Sequence, residues 1–396
     1  MRLRKNRGRL RPALLAASFA LALPYSTQAI SQQVSQTNLV TDSNAFLISQ
    51  GMSAATTQDP NLINPWGMSY SSTSPFWISN QGHGNTTLYN GAGVPQPQPT
   101  PLVVSITGGA PPSGPTGQAF VGGSGFNLAG GGNAVFAFAN LNGGISAWNG
   151  GSNAIVQSIT PGAVYTGLAL GSSGGSNYLY AADHAGGIDV FDQNFTFHAL
   201  AGDFTDPGLP SGLTPFNIAN IGGVLYVTYA QAGPDADEAP LGSGIVDRFN
   251  MDGTFIDRFV TGSLSNNVLS PWGITQAPSA FGPFGGAILI GNFAEEDGFI
   301  NAFSQSDGTY LGRLLSGSDP YSMPYLWSLG TRPTGGAGSD PNAVYFTAGI
   351  GDEEHGLFGR LNAVPEPSSW AMMLMGFGAM GLAVRRSSKP RHAQVA

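Results

Sequence analysis

The sequence predicts an all-β chain: a six-bladed β-propeller of four-stranded antiparallel blades, flanked by an N-terminal signal peptide and a C-terminal apolar anchor helix. Three observations predict it: a recurrent glycine-to-aromatic pattern, a second pattern that precedes each copy, and two ends unlike everything between them. The first pattern is a glycine, a β-branched or apolar residue, and an aromatic a few positions on. It occurs at Gly144–Trp148, Gly187–Phe191, Gly244–Phe249 and Gly298–Phe303, with weaker copies at Gly84–Tyr89 and Gly356–Leu361. Successive glycines lie 43 to 60 residues apart. Self-similarity at such a period is the mark of a repeat architecture.

The second pattern opens each unit. Pro65-Trp66-Gly67-Met68, Pro215-Phe216-Asn217-Ile218, Pro271-Trp272-Gly273-Ile274 and Leu326-Trp327-Ser328-Leu329 match one another. Thr166-Gly167-Leu168-Ala169 is the third unit's copy, and the second unit's is poorly marked near Gln118–Phe126. A short β-rich run separates the two patterns, as in Phe76-Trp77-Ile78 and Val344-Tyr345-Phe346. Asp252-Gly253 and Asp307-Gly308 then read as hairpin turns, because such turns need positive φ. Each unit is therefore four strands, and six fit the chain near 62–107, 116–160, 162–208, 213–262, 268–316 and 323–361. A β-sandwich would not repeat one strand order six times, and a parallel β-helix would have a shorter period. With 58 glycines, long helices are disfavoured. Thr37–Gln50, rich in β-formers, is expected to pair with the last blade and close the ring. A turn at Asp252-Gly253 sets Arg248 opposite Asp257 and Asp247 opposite Arg258.

Charge excludes some functions. Ten of the 15 Lys and Arg lie in residues 2–11 and 385–391. Residues 30–364 hold five arginines and no lysine against 22 acidic residues, so phosphate neutralisation along a nucleic acid is not available. With no cysteine there is no disulfide scaffold, thiolate metal site or thiol nucleophile.

The ends read as addresses. Residues 1–29 have a basic stretch, an apolar run Ala13–Leu23 too short to span a bilayer, and Thr27-Gln28-Ala29, so signal cleavage is expected after Ala29. Residues 362–396 carry Pro365-Glu366-Pro367, an apolar run Trp370–Val384 and then Arg385-Arg386. This tripartite end resembles the PEP-CTERM sorting signal of Gram-negative bacteria, with Pro365, Glu366 and Pro367 matching its motif. A plain C-terminal anchor is the alternative. The resemblance implies export by the Sec machinery, transient anchoring in the inner membrane, and recognition by an exosortase. It also implies a cell-surface or extracellular location, with exopolysaccharide or a surface protein as partner. Residues 30–361, the propeller domain, resemble bacterial propellers of the NHL and SMP-30 type. They also resemble a family of exported proteins that carry Asn-Leu-Val-Thr-Asp (Asn38–Asp42) and Asn-Pro-Trp-Gly (Asn64–Gly67).

Candidate chemistry gathers in the loops between second and third strands. In the last three units these are acidic: Asp235, Asp237 and Glu238; Glu295, Glu296 and Asp297; Asp352, Glu353 and Glu354. His83, His184 and His355 occupy the same kind of loop. Carboxylates and amide carbonyls are hard oxygen ligands that suit Ca²⁺. Asn64, Asn217, Asp183, Asn292 and Glu295 are the candidate ligands. The alternative is that the acidic loops are simply solvated. Some SMP-30-like propellers hold such an ion at the channel mouth for lactone or ester hydrolysis, so resemblance implies a Ca²⁺-dependent hydrolase as one reading. The other is a non-enzymatic binding or matrix module. Gly122-Gly123-Ser124-Gly125 lacks the following helix of a nucleophile elbow. Trp66, Trp272 and Trp327 recur at equivalent places and read as packing. Trp77 and Trp148 are less periodic and read as exposed residues, with an aromatic shelf for carbohydrate as the alternative.

Overall fold

The second strand of each unit shows how sequence makes this architecture. Phe136-Ala137-Phe138-Ala139-Asn140 is buried on both faces. Alternation splits it: Phe136 and Phe138 pack with Trp77 and Val104 on one side, while Ala137 and Ala139 lie against Phe126, Tyr165 and Phe191 on the other. Each large side chain so buried contributes about 2–3 kcal/mol of transfer free energy. Small residues on the opposite face let the next sheet approach. Ile288–Asn292 and Ala343–Ala348 are likewise fully buried.

The computed structural model describes residues 30–233, 236, 239–295 and 298–365. Among these are 25 strands and one short α-helix, Asn44–Ser49, capped by Ser43. Six strands open the units: Pro65–Ser69, Pro115–Phe120, Tyr165–Ser173, Leu213–Ile221, Pro271–Gln276 and Leu326–Thr331. They pack side by side in that order around an axis, and the last returns to the first. All six carry a register shift against their second strand at the same place, as between Pro65 and Met68, Tyr165 and Gly167, and Pro271 and Ile274. Such a bulge bends the strand and strengthens its twist. In four of the six units a glycine sits there, at 67, 117, 167 and 273, and neighbouring backbones or side chains nearly touch it. A Cβ on Gly67 would collide with Thr116 O, one on Gly117 with Leu168 N, and one on Gly167 with Asn217.

The fold is all-β and propeller-like, but not the single six-bladed propeller of separate four-stranded blades that the sequence predicts. Hydrogen bonding groups the strands into sheets of ten, eight, three and four. Parallel pairing between outer strands is the cause. Val103–Ile106 pairs with Asn153–Ile159 and fuses two units, and Ile30–Thr41 pairs with Tyr310–Ser316 and fuses two more. Each fused sheet runs through a path of eight strands whose two end strands lie side by side, so it nearly closes on itself in a barrel-like way. The three-stranded sheet ends at Ile188–Phe191, because Asp192–Gly212 adds only an isolated bridge, Phe191 with Phe197.

The N-terminal strand, Ile30–Thr41, pairs antiparallel with Leu357–Ala363. It starts earlier than expected, and residues 44–49 are helical rather than extended. The expected hairpin register is present: Arg248 lies opposite Asp257, and Asp247 opposite Arg258. Only Gly253 (φ 82°) and Gly308 (φ 70°) take positive φ, while Asp252 and Asp307 accept hydrogen bonds from Thr254 and Thr309. Among the described residues no helix is long and apolar enough to cross a membrane. The expected signal peptide with its cleavage at Ala29, and the expected anchor helix at 370–384, lie outside them, as do Glu366 and Pro367.

Candidate functional site

The first unpaired residue of each ring bulge points the way to the site. In the six units it is Trp66, Thr116, Thr166, Phe216, Trp272 and Trp327. Four large aromatics on one ring meet near the axis and form a plug with Phe293 and Tyr325. Trp327 is sandwiched, with Trp66 at 3.4 Å and Phe293 at 3.9 Å between ring centroids, both nearly parallel to it. Trp272 meets the stack edge-on. Its indole N–H donates to Thr166 O at 3.2 Å. Offset and edge contacts of this kind add about 0.5–1.5 kcal/mol per pair beyond burial.

Two units supply threonine instead, and the plug is lopsided. On the threonine side lies a cavity of about 270 Å³ bounded by Thr166, Phe216, Phe293, Trp66, Trp327, His184 and Glu353. Phe216 is tilted 53° to Trp327 and 60° to Phe293, so two aromatic walls meet at a corner. His184 closes one side. Its Nδ1 lies 3.1 Å from Pro215 O and its Nε2 3.2 Å from Gly233 O. Glu353 Oε1 accepts from Asn64 Nδ2 at 3.0 Å, and Asn64 Oδ1 accepts from Trp327 Nε1 at 3.0 Å. One amide thus couples the buried indole to the rim carboxylate.

The backbone around this rim is strained. Asn64 (φ 43°), Tyr325 (φ 51°), Asp352 (φ 54°) and Glu353 (φ 63°) all sit in the left-handed region. Each costs about 1–3 kcal/mol and persists only where surroundings enforce it. Glu353 N donates to Gly349 O at 2.9 Å and Glu354 N to Gly351 O at 3.1 Å, so Gly351–Glu353 forms a left-handed turn that presents Glu353 to the cavity. Tyr325 Oη donates to Asp352 Oδ1 at 3.3 Å.

The candidate Ca²⁺ ligands have defined places. Asp183 and Asn292 end the second strands of their units, as Asn80 and Asn140 do. Asp183 Oδ1 accepts from Val164 N at 2.7 Å and Ala185 N at 2.9 Å, and Asn292 Oδ1 accepts from Leu269 N at 3.0 Å. Asn217 Nδ2 donates to Trp272 O at 2.7 Å. Glu295 is exposed. One side-chain oxygen each of Asp183, Asn292 and Asn64 is thus committed to an internal donor. Among the described residues no three His, Asp or Glu side chains gather as metal ligands. Of the acidic patch, Asp352, Glu353 and Glu354 lie on one turn, while Asp235, Asp237, Glu238, Glu296 and Asp297 lie outside the described residues. Trp77 is buried, stacked on Phe136 at 4.1 Å, rather than exposed.

Two charged clusters lie elsewhere. His355 Nδ1 sits 2.6 Å from Asp42 Oδ2 under the ring of Phe46, and Gly356 N donates to Asp42 Oδ1 at 2.9 Å. This pins the N-terminal segment to the last unit. Arg258 bonds to Asp206 rather than to its cross-strand neighbour Asp247, whose Oδ1 is 3.7 Å from Arg258 Nε. Two carboxylates thus compete for one guanidinium. Asp247 is fully buried, and its carboxyl is pushed up to about 8, first by burial and then by Asp206, against the pull of Arg258.

Sequence reasoning missed Thr116 as a ring position. The signal was present: Thr116-Gly117 repeats Thr166-Gly167.

Residues 363–387 match the PEP-CTERM protein-sorting motif, which belongs to exported cell-surface proteins and implies processing by an exosortase. The structure of a streptogramin B lyase is similar with a TM-score of 0.47 and 12% identity, over 84% of this chain and 97% of that one. In sequence, the uncharacterized protein L690 of Acanthamoeba polyphaga mimivirus is 32% identical over 336 residues, 80% of this chain and 84% of L690. The uncharacterized protein R648 of the same virus is 31% identical over 334 residues, 80% of this chain and 79% of R648. The chain belongs to the protein family of R648 and L690.

Proposed function

We infer that the protein is an exported surface binding module, released or attached after exosortase processing, and that its ligand site is the mouth cavity beside the aromatic plug. One observation carries this: an aromatic-walled cavity of about 270 Å³ with a carboxylate and an imidazole on its rim, beside four residues in left-handed backbone. Concave, largely apolar sites with a few placed polar groups are what small ligands occupy. Left-handed non-glycine residues clustered at one rim fit a site whose geometry matters more than its local stability. Exopolysaccharide fragments and the exposed ends of surface proteins are the partners that this address brings within reach.

The test fills the cavity. Thr166→Trp restores an aromatic at a ring position where four other units have one. A thermal-shift screen of the full-length protein against small amines, amino acids and mono- and disaccharides should find a ligand that stabilises the wild type and not the variant. Equal shifts in both proteins for every hit, or no hit at all, would remove the cavity as the ligand site.

A further inference from the structure

We propose that the mouth cavity takes a small organic cation, of the alkylated ammonium class. This deepens the binding reading above and rests on it.

Three features of the cavity select charge and shape together. Its walls are aromatic. Both faces of Trp327 are covered by Trp66 and Phe293, so the faces open to a ligand belong to the inclined Phe216 and to the outer rings of the slab, and aromatic faces carry negative partial charge that attracts a cation within about 6 Å. Its rim charge is negative. Glu353 is the acidic side chain lining it, held by Asn64, and Asp352 lies on the same turn. Among the described residues no lysine or arginine lines the cavity. A phosphate or carboxylate would meet repulsion there, and a bare metal ion would find few oxygens. Lastly, polar side chains are few among the described residues of the lining. A saccharide needs a partner for each hydroxyl that it buries, and Thr166, His184 and Glu353 are too few for a ring of hydroxyls. A methylated ammonium has no N–H or O–H on its head and needs only faces and a counter-charge.

Isothermal titration of the full-length protein with choline, and with neohexanol, in which carbon replaces the quaternary nitrogen, separates charge from shape. Choline should bind saturably, and neohexanol at least about tenfold more weakly. Glu353→Gln keeps an acceptor for Asn64 while removing the charge. It should weaken choline about tenfold and leave neohexanol unchanged, and Thr166→Trp should abolish choline binding. Equal affinity for the two probes, or choline binding indifferent to Glu353→Gln or to Thr166→Trp, would overturn the cation. So would saccharide binding that Thr166→Trp abolishes in the absence of choline binding, although the mouth would then stand as a ligand site. If neither these probes nor the saccharides bind, both readings fall.

Discussion

One aromatic plug separates two cavities, and the larger of the pair is chemically the poorer. The axial cavity, about 380 Å³, is lined by the first strands, among them Gly67, Gly117, Leu168, Ile218, Gly273 and Leu329. Among the described residues, no acidic side chain, basic side chain or histidine lines it. It is the space left when six bulged strands are set around an axis. The mouth cavity, about 270 Å³, has two titratable side chains and the strained rim. The axial hole follows from the repeat, whereas the mouth comes from breaks in the repeat: threonine at ring position 166, and a left-handed turn in one loop of the last unit. Departure from the repeat, rather than volume, marks the site.

Removing the wall between the cavities is the most severe way to break this contrast. Trp327→Ala should merge them and cost about 3–5 kcal/mol in denaturant unfolding, as for other large buried aromatics. A loss below about 1 kcal/mol would show that the plug is not structural. The next test concerns the ring that makes the axial hole. Gly117→Ala places a methyl against Leu168 N and should cost about 3 kcal/mol, while Gly130→Ala, with open space around it, should change stability by less than about 0.5 kcal/mol. Equal effects would refute the close-approach account.

Asp247 tests whether a buried charge remote from both cavities leaves the mouth untouched. Its carboxyl titrates near 8 in the fold against about 3.8 in the unfolded chain, so the folded state holds the proton more tightly. The resulting stability is complete below about pH 4 and declines as pH rises towards 8. Asp247→Asn removes that decline. The variant should gain on the wild type between pH 5 and 9, by on the order of 2 kcal/mol at the upper end, with no change in ligand affinity. A constant difference across that range would place the titration elsewhere. The smallest stability effect belongs to Glu353→Gln, expected within about 0.5 kcal/mol of wild type. A larger loss would make Glu353 part of the scaffold rather than of the ligand site.

Much of the framework was legible in local pattern. The hairpin at Asp252-Gly253 set Arg248 opposite Asp257, where the guanidinium is bidentate at 2.8 and 2.6 Å. The same register set Arg258 opposite Asp247, yet Arg258 bonds to Asp206 from a different sheet-connecting loop, which no strand periodicity encodes. The fusion of units into longer sheets was hidden for a similar reason. Parallel pairing of Ser105 with Asn153 depends on how two outer strands meet in space. The acids drew attention as a patch because composition counts them equally. Three-dimensional placement brings Glu353 to the cavity lining, turns Asp352 to Tyr325 and leaves Glu295 exposed.

The strand that begins the described chain is fastened by the residues that end it. Gln32 donates to Val364 O across 332 residues, and Val364 N returns a bond to Gln33 O. At about 5–20 residues per second, ribosomes finish the second partner roughly 15–70 s after the first. During that interval the edge of Ile30–Thr41 that takes Leu357–Ala363 stays open, the kind of surface that other chains capture. The wait ends at Val364, one residue before Pro365-Glu366-Pro367 and inside the sorting motif that spans residues 363–387. A cut beyond Val364 therefore spares the seam's described bonds, and the chain can be shortened without reopening the last joint it closed.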